Sequence, residues 1–187
     1  MCSSDLFASI GEKTGADRWL PLLALYTGGR LEELVQLRTA GVRERDGVSY
    51  IAIEGGEGRR IKNRGSRRDV PLHPELIRLG FMAFVEEERT AGHARLFSDL
   101  KPDRHGTLTR LWGKRFRSFA RSVGLNDPRK TFHSFRHGFK DAAREIMPEE
   151  HHDAITGHSN GSVGRSYGRG VPLKVLAESM AKVRFRL

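Results

Sequence analysis

The chain is poor in cysteine, in long apolar runs and in acidic charge. Cys2 is the one cysteine among 187 residues. No disulfide can form within the chain, and a reducing cytoplasm is the expected compartment. No apolar run approaches the roughly 20 residues that span a bilayer. The opening residues, Met1-Cys2-Ser3-Ser4-Asp5-Leu6, lack the charged and apolar regions of a signal peptide. Internal repeats and low-complexity segments are also missing. Acidic residues number 23 against 33 Lys and Arg, for a net charge of +10 and an isoelectric point near 10.3. That excess points to a polyanionic partner, nucleic acid first. An anionic membrane surface would call for a basic amphipathic anchor or a lipidation motif, and neither is found.

What is present suffices for one domain with a real core. Residues 17 to 26 are rich in Leu and Trp and read as a buried helix, broken by Thr27-Gly28-Gly29. Arg30 opens a second helix with Leu31, Leu34 and Val35 at helical spacing. Val48 to Glu54 and Arg67 to Leu72 read as two strands of a small antiparallel hairpin, joined by the glycine- and arginine-rich residues 55 to 66. Pro74 suits the first turn of a helix whose stripe is Leu76, Ile77, Phe81, Phe84 and Val85. A helix over about 107 to 123 turns Leu108, Leu111, Trp112, Phe116, Phe119 and Val123 inward. Another over 132 to 147 carries Phe132, Phe135, Phe139, Ala142 and Ile146. A short helix stops at Gly157. A last one starts at Pro172, with Leu173, Leu176, Ala177, Met180 and Val183 on one side. The predicted fold class is mainly α with a small antiparallel β-sheet.

Four stretches carry candidate chemistry. In Thr27-Gly28-Gly29-Arg30-Leu31-Glu32-Glu33-Leu34, the glycines allow a sharp turn and a close backbone approach. Arg30 at a helix start can aim a planar fork at phosphate, and Glu33 can orient it. The loop between the strands holds Arg59, Arg60, Lys62, Arg64, Arg67 and Arg68, a cationic group able to grip backbone phosphate. His133 and Arg136, three apart, share a helix face offset from the phenylalanine stripe. Gly157-His158 is followed nine residues later by Tyr167. Tyr26 and Tyr50, in apolar and strand contexts, read as structural. Each stretch alone has a bland explanation, such as a solvated basic face or a half-buried aromatic. All four in this order make coincidence a poor account.

Together these residues resemble the catalytic domain of the tyrosine recombinases, the phage-integrase family. Thr-Gly-x-Arg-x-x-Glu-Leu matches the family's first arginine motif at every fixed position. Lys62, followed by Ser66, Arg67-Arg68 and Val70-Pro71-Leu72, matches its lysine hairpin, with Asn63 where threonine is usual. The resemblance implies an α+β catalytic-domain fold and six catalytic residues: Arg30, Lys62, His133, Arg136, His158 and Tyr167. Arg30 and Arg136 would clamp the phosphate, His158 would add a hydrogen bond, and His133 would assist proton transfer at Tyr167. Lys62 would protonate the leaving 5′ oxygen, with Arg60 and Arg64 able to reach the same space. Arg59, Arg60, Arg64, Arg67 and Arg68 are expected to bind DNA.

No cofactor is implied, because the bond energy stays in a phosphotyrosine. A metal site is not expected either: Ser134 stands where a His-Glu-x-x-His motif needs glutamate, and no acidic cluster surrounds His151-His152. The resemblance further implies one catalytic domain over residues 1–187, without the family's N-terminal core-binding domain. The expected partner is double-stranded DNA, met as a monomer that assembles into a homotetramer through the C-terminal segment. A bacterial or phage origin would follow. The alternatives are a non-cleaving DNA-binding remnant and relaxation of supercoils in the manner of a type IB topoisomerase. An RNA-binding protein is disfavoured, because no paired aromatic platform lies on a strand.

Overall fold

A computed structural model of the chain describes residues 4–54, 67–158 and 170–185. Helix α1 (Ser4–Gly11) leads into α2 (Gly15–Thr27), the axis of the molecule. Ten of the twelve residues from Ala16 to Thr27 are buried, and Leu20, Leu23 and Ala24 have no exposure at all. A helix apolar on every side belongs inside, surrounded by other elements. Accordingly α2 packs against α1, α3 (Leu31–Leu34), α4 (Pro74–Arg78) and α7 (Ser134–Arg144).

The expected hairpin is two strands of a three-stranded antiparallel sheet in the order β1-β2-β3: β1 (Val42–Arg45), β2 (Val48–Ile53) and β3 (Arg68–Pro71). Val42 faces Ile51, which in turn faces Val70. The β1–β2 turn places Asp46 and Gly47 at φ of 53° and 75°. That double left-handed geometry matches the twist of a two-residue hairpin. β1, Val-Arg-Glu-Arg, shows one buried residue followed by three exposed ones, so apolar alternation does not announce it.

The expected Pro74 helix is two. Gly80, at φ 92°, separates α4 from α5 (Phe81–Thr90). The break resets the helical phase, and Ile77, expected in the stripe, is exposed. α6 (Thr109–Ser122) buries Trp112 and Phe116 but leaves Leu111 exposed. Leu111 lies about 100° round the helix from Trp112, at the margin of the apolar face. α7 ends at Arg144, so Ile146 lies beyond the helix and is exposed too. Trp112 stacks on Phe116 at 5.2 Å and meets Phe132 edge-on at 5.3 Å, which joins α6 to the start of α7. Phe7 of α1 packs edge-on against Phe135.

α8 (Glu149–Thr156) and α9 (Leu173–Met180) both pack on β3. Leu176, Met180 and Val183 are buried against the chain's own core. His73 secures the segment that follows α9. Its Nδ1 accepts the Glu75 N–H at 3.0 Å, and its Nε2 lies 3.0 Å from the Val183 carbonyl. Tyr26 packs against His73 on one side and Phe185 on the other. Among the described residues no helix is long and apolar enough to cross a membrane.

Candidate active site

The site begins where α2 stops. Gly28 caps the helix at φ 63°, and its N–H donates to the Ala24 carbonyl at 3.0 Å. A Cβ here would lie 2.9 Å from both Phe139 Cδ1 and Thr156 Cγ2, so glycine is required twice over, by conformation and by space. The Thr27 hydroxyl accepts the Gly29 N–H at 3.1 Å and fixes the exit direction of the chain. Arg30 then stands at the N-cap of α3. Glu33 accepts from its backbone N–H and from its Nη1, both at 3.0 Å. Arg30 keeps 27% of its side-chain surface exposed.

Arg136 approaches from α7. It is 5% exposed, and its Nη1 donates to the carbonyls of Gly28 at 2.7 Å and Thr156 at 2.6 Å. One guanidinium nitrogen therefore ties the α2 stop to the last residue of α8. Nη2 of the same group is buried and has no hydrogen-bond partner among the described residues. Burial, and then the positive charges of Arg30 and Arg68, push the Arg136 pKa down to about 10. The group is still a cation at neutral pH, but one destabilised by two neighbours of its own sign. An anion placed there relieves that repulsion.

His133 caps the N-terminus of α7 rather than lying within the helix. Its exposed ring stands 5.0 Å from that of His137, edge to face. Partial burial, then His137, Arg136 and Arg30, hold its pKa below the ordinary histidine value, with Glu32 opposing them. A neutral imidazole, able to accept a proton, is the form this setting favours. His158 follows the left-handed Gly157, at φ 65°, that ends α8. Its backbone N–H donates to the Asp153 carbonyl at 3.0 Å, and its side chain is exposed. Behind it lies a cavity of about 470 Å³ lined by Lys140, Arg144, Met147, Glu149, His152 and His158. Lys140 Nζ lies 3.3 Å from the buried Asp153 carboxylate.

Arg30, His133, Arg136 and His158 thus come from three stretches of the sequence to the starts of α3 and α7 and the end of α8. Lys62, Tyr167, Arg59, Arg60 and Arg64 lie outside the described residues. Arg67 is exposed. Arg68, expected beside it on the surface, is turned inward with 8% of its side chain exposed. Its Nη1 and Nη2 donate to Glu33 at 3.2 and 2.8 Å, and its Nε donates to the Ile155 carbonyl at 2.8 Å. A partner 35 residues away, Glu33, draws it in. Burial alone would raise the Glu33 pKa, but Arg68 and then Arg30 outweigh it and hold the carboxyl below its usual range.

One surface escaped the reading by motif. Arg110, Lys114, Arg117 and Arg121 recur along α6, all exposed. Each lies two positions before an inward residue, Trp112, Phe116, Phe119 or Val123, which puts the four on the opposite side of the helix. The signal was present in the sequence as a second, basic periodicity. Among the described residues no three of His, Cys, Asp and Glu gather closely enough to hold a metal ion.

Solved structures share the fold. The XerH site-specific recombinase bound to difH substrate, in its pre-cleavage complex, superposes with a TM-score of 0.57 at 20% identity, covering 97% of this chain and 48% of that one. The Tn1549 transposon integrase in complex with circular intermediate DNA gives 0.59 at 17% identity, covering 96% and 64%. These likenesses establish the fold. The chain spans about half the length of the first protein and 64% of the second. No curated protein matches the sequence. The profile of the phage integrase family matches residues 7–170, which runs from α1 past the Gly157-His158 turn. On that match, and on a fold that gathers both motif arginines around Gly28, the chain belongs to the phage integrase family, the tyrosine recombinases.

Proposed function

We propose that this chain performs site-specific DNA recombination, by cutting and rejoining one strand at a time through a 3′-phosphotyrosine at Tyr167. The observation that carries the reading is Arg136: a nearly buried guanidinium held by two carbonyls, crowded by two other arginines, with Nη2 lacking a partner among the described residues. A phosphate oxygen would satisfy that donor and offset the repulsion. Family membership supports it, as do the DNA-bound states of XerH and the Tn1549 integrase.

In this reading the Tyr167 oxygen attacks the scissile phosphorus while the bond to the 5′ oxygen breaks. A tyrosine hydroxyl has a pKa of about 10 and is a poor nucleophile at neutral pH. Neutral His133 takes up or relays its proton. Arg30 and Arg136 neutralise the non-bridging oxygens, where charge grows, and His158 donates to the same group. Lys62 gives a proton to the departing 5′ oxygen. Rejoining reverses these steps with a 5′ hydroxyl of another strand, so no outside energy source is consumed. Arg59, Arg60, Arg64, the exposed Arg67 and the basic side of α6 contact the phosphate backbone.

Residues 1–187 act in this scheme as one catalytic domain, encoded by a bacterium or a phage and working in the bacterial cytoplasm. Recombination takes place in a homotetramer on DNA, joined through residues 172–187. In the single chain the apolar side of that segment rests on the chain's own β3. Exchange between protomers would therefore lift Leu176, Met180 and Val183 before a neighbour covered them.

Covalent capture tests the chemistry. Wild type and Tyr167→Phe are expressed in cells and recovered under denaturing conditions, and attached DNA is sequenced. DNA on wild type alone is expected, at a recurring site. Equal attachment to both proteins, or none to wild type, would overturn the proposal.

A further inference from the structure

We propose that Arg68 is a positioning residue that holds Arg30 and the Gly157-His158 turn in one register. The proposal rests on the catalytic reading above for the purpose of that register, but the contacts stand without it.

Arg68 opens β3 opposite Ile53. All three nitrogens of its guanidinium are engaged inside the protein, two on Glu33 and one on Ile155. Glu33 is the shared element. Its Oε1 accepts from Arg30 Nη1 at 3.0 Å and Arg68 Nη1 at 3.2 Å. Its Oε2 accepts from the Arg30 backbone N–H at 3.0 Å and Arg68 Nη2 at 2.8 Å. A carboxylate accepting four donors from two directions cannot rotate without losing one of them. Arg68 therefore fixes the plane in which Arg30 is held. It also takes a share of the Glu33 charge, which leaves more of the Arg30 charge for an anion in front.

The third contact reaches the other side of the site. Ile155 is in the last turn of α8, where a cation complements the helix end. Gly157 lies directly on the guanidinium: a Cβ there would stand 2.7 Å from Nη1. The glycine before His158 thus serves two needs, the left-handed stop and the room for Arg68. One side chain spans β3, α3 and the end of α8: it meets Glu33, which holds the Arg30 backbone N–H, and Gly157, the residue before His158.

A direct phosphate contact is the rival role, and three measurements separate the two. The variants are Arg68→Met and Arg68→Lys; the second keeps the charge and guards against a misfolded first. Nitrogen NMR of the arginine guanidinium groups in the free protein reads whether Arg30 is held. Slow rotation of its Nη groups in wild type, becoming fast in both variants, is expected. Binding to a short random-sequence duplex over a salt series should keep its slope. The rate of covalent attachment to the DNA recovered with wild type should fall about 10²-fold in Arg68→Met, the scale of a small misplacement of a reacting group. Arg68→Lys should recover part of it. A salt slope lower by about one unit would assign Arg68 to a phosphate and overturn the proposal. So would unchanged Arg30 rotation, or an unchanged rate. If wild type attaches no DNA, the catalytic reading fails, and the Arg30 rotation alone still decides whether Arg68 holds it.

Discussion

Replacing Gly28 by alanine should cost far more than the same change at Gly47. Both glycines have positive φ, 63° and 75°. For any residue with a Cβ that conformation costs about 1–2 kcal/mol. At Gly47 the new methyl meets nothing within 4 Å, so the conformational cost is the whole effect. At Gly28 it would lie 2.9 Å from Phe139 Cδ1 and Thr156 Cγ2, and both residues are wholly buried. Neither neighbour is a flexible end that can swing away, so overpacking adds about 1–3 kcal/mol. The expected losses are about 2–5 kcal/mol for Gly28→Ala and about 1–2 kcal/mol for Gly47→Ala. Trp19 and Trp112, both buried, give the fluorescence signal for urea unfolding. The Gly28 carbonyl also receives Arg136 Nη1, so Gly28→Ala should attach less DNA than Gly47→Ala even where both are fully folded. Equal losses of stability at the two positions would refute the close packing of α2, α7 and α8 around Gly28.

Other perturbations probe other contacts. Arg136→Lys cannot reproduce the planar fork that meets the Gly28 and Thr156 carbonyls, and covalent attachment to DNA should slow about 10²–10³-fold, read in a single-turnover assay. Burial pushes the His73 pKa below its usual value of about 6.5, so the fold favours the neutral ring. Its contribution to stability is complete above that pH and is lost as pH falls toward the lowered value. The urea midpoint should drop on acidification, and less in His73→Asn, whose side-chain oxygen can still accept the Glu75 N–H. Arg117→Ala on the exposed side of α6 should lower the salt slope of duplex binding by about one unit while sparing stability; an unchanged slope would remove α6 from the DNA-binding surface.

The parts of the fold that could be read in the sequence are those governed by local chemistry. Phe135 and Phe139 keep helical spacing and are buried, whereas Ala142 of the expected stripe is half-buried and its neighbour Ala143 takes the inner place. Gly28 and Gly157 mark helix stops because a left-handed residue is needed there. Tyr26 and Tyr50 are buried, in keeping with their apolar and strand contexts. Glu33 three residues after Arg30 gave the pairing by spacing alone. What escaped depends on distant partners or on competing signals. β1 has three charged residues in four, and only the Asp46-Gly47 turn betrays it. Ile77, Leu111 and Ile146 sit where a stripe is broken, flanked or ended, and apolar character alone assigned them inward. Arg68 lies in the run Arg67-Arg68-Asp69 and reads as solvated. Only the folded position of Glu33 and the open face of Gly157 turn it inside.

The clasp around Tyr26 has a consequence for how the protein is made. Tyr26 lies in the central helix, yet its ring is covered by Phe185, and the His73 imidazole meets the Val183 carbonyl 110 residues away. Contacts of such separation form late, because the loop between them must close first. A ribosome releases α2, the sheet and α7 long before it delivers residue 185. Until then α2 carries an uncovered aromatic ring and β3 lacks α9. The nascent chain therefore passes through a stage in which the Gly28 turn can already assemble while the Tyr26 side of α2 stands open, and the emergence of residue 185 from the ribosome is the event that closes the core.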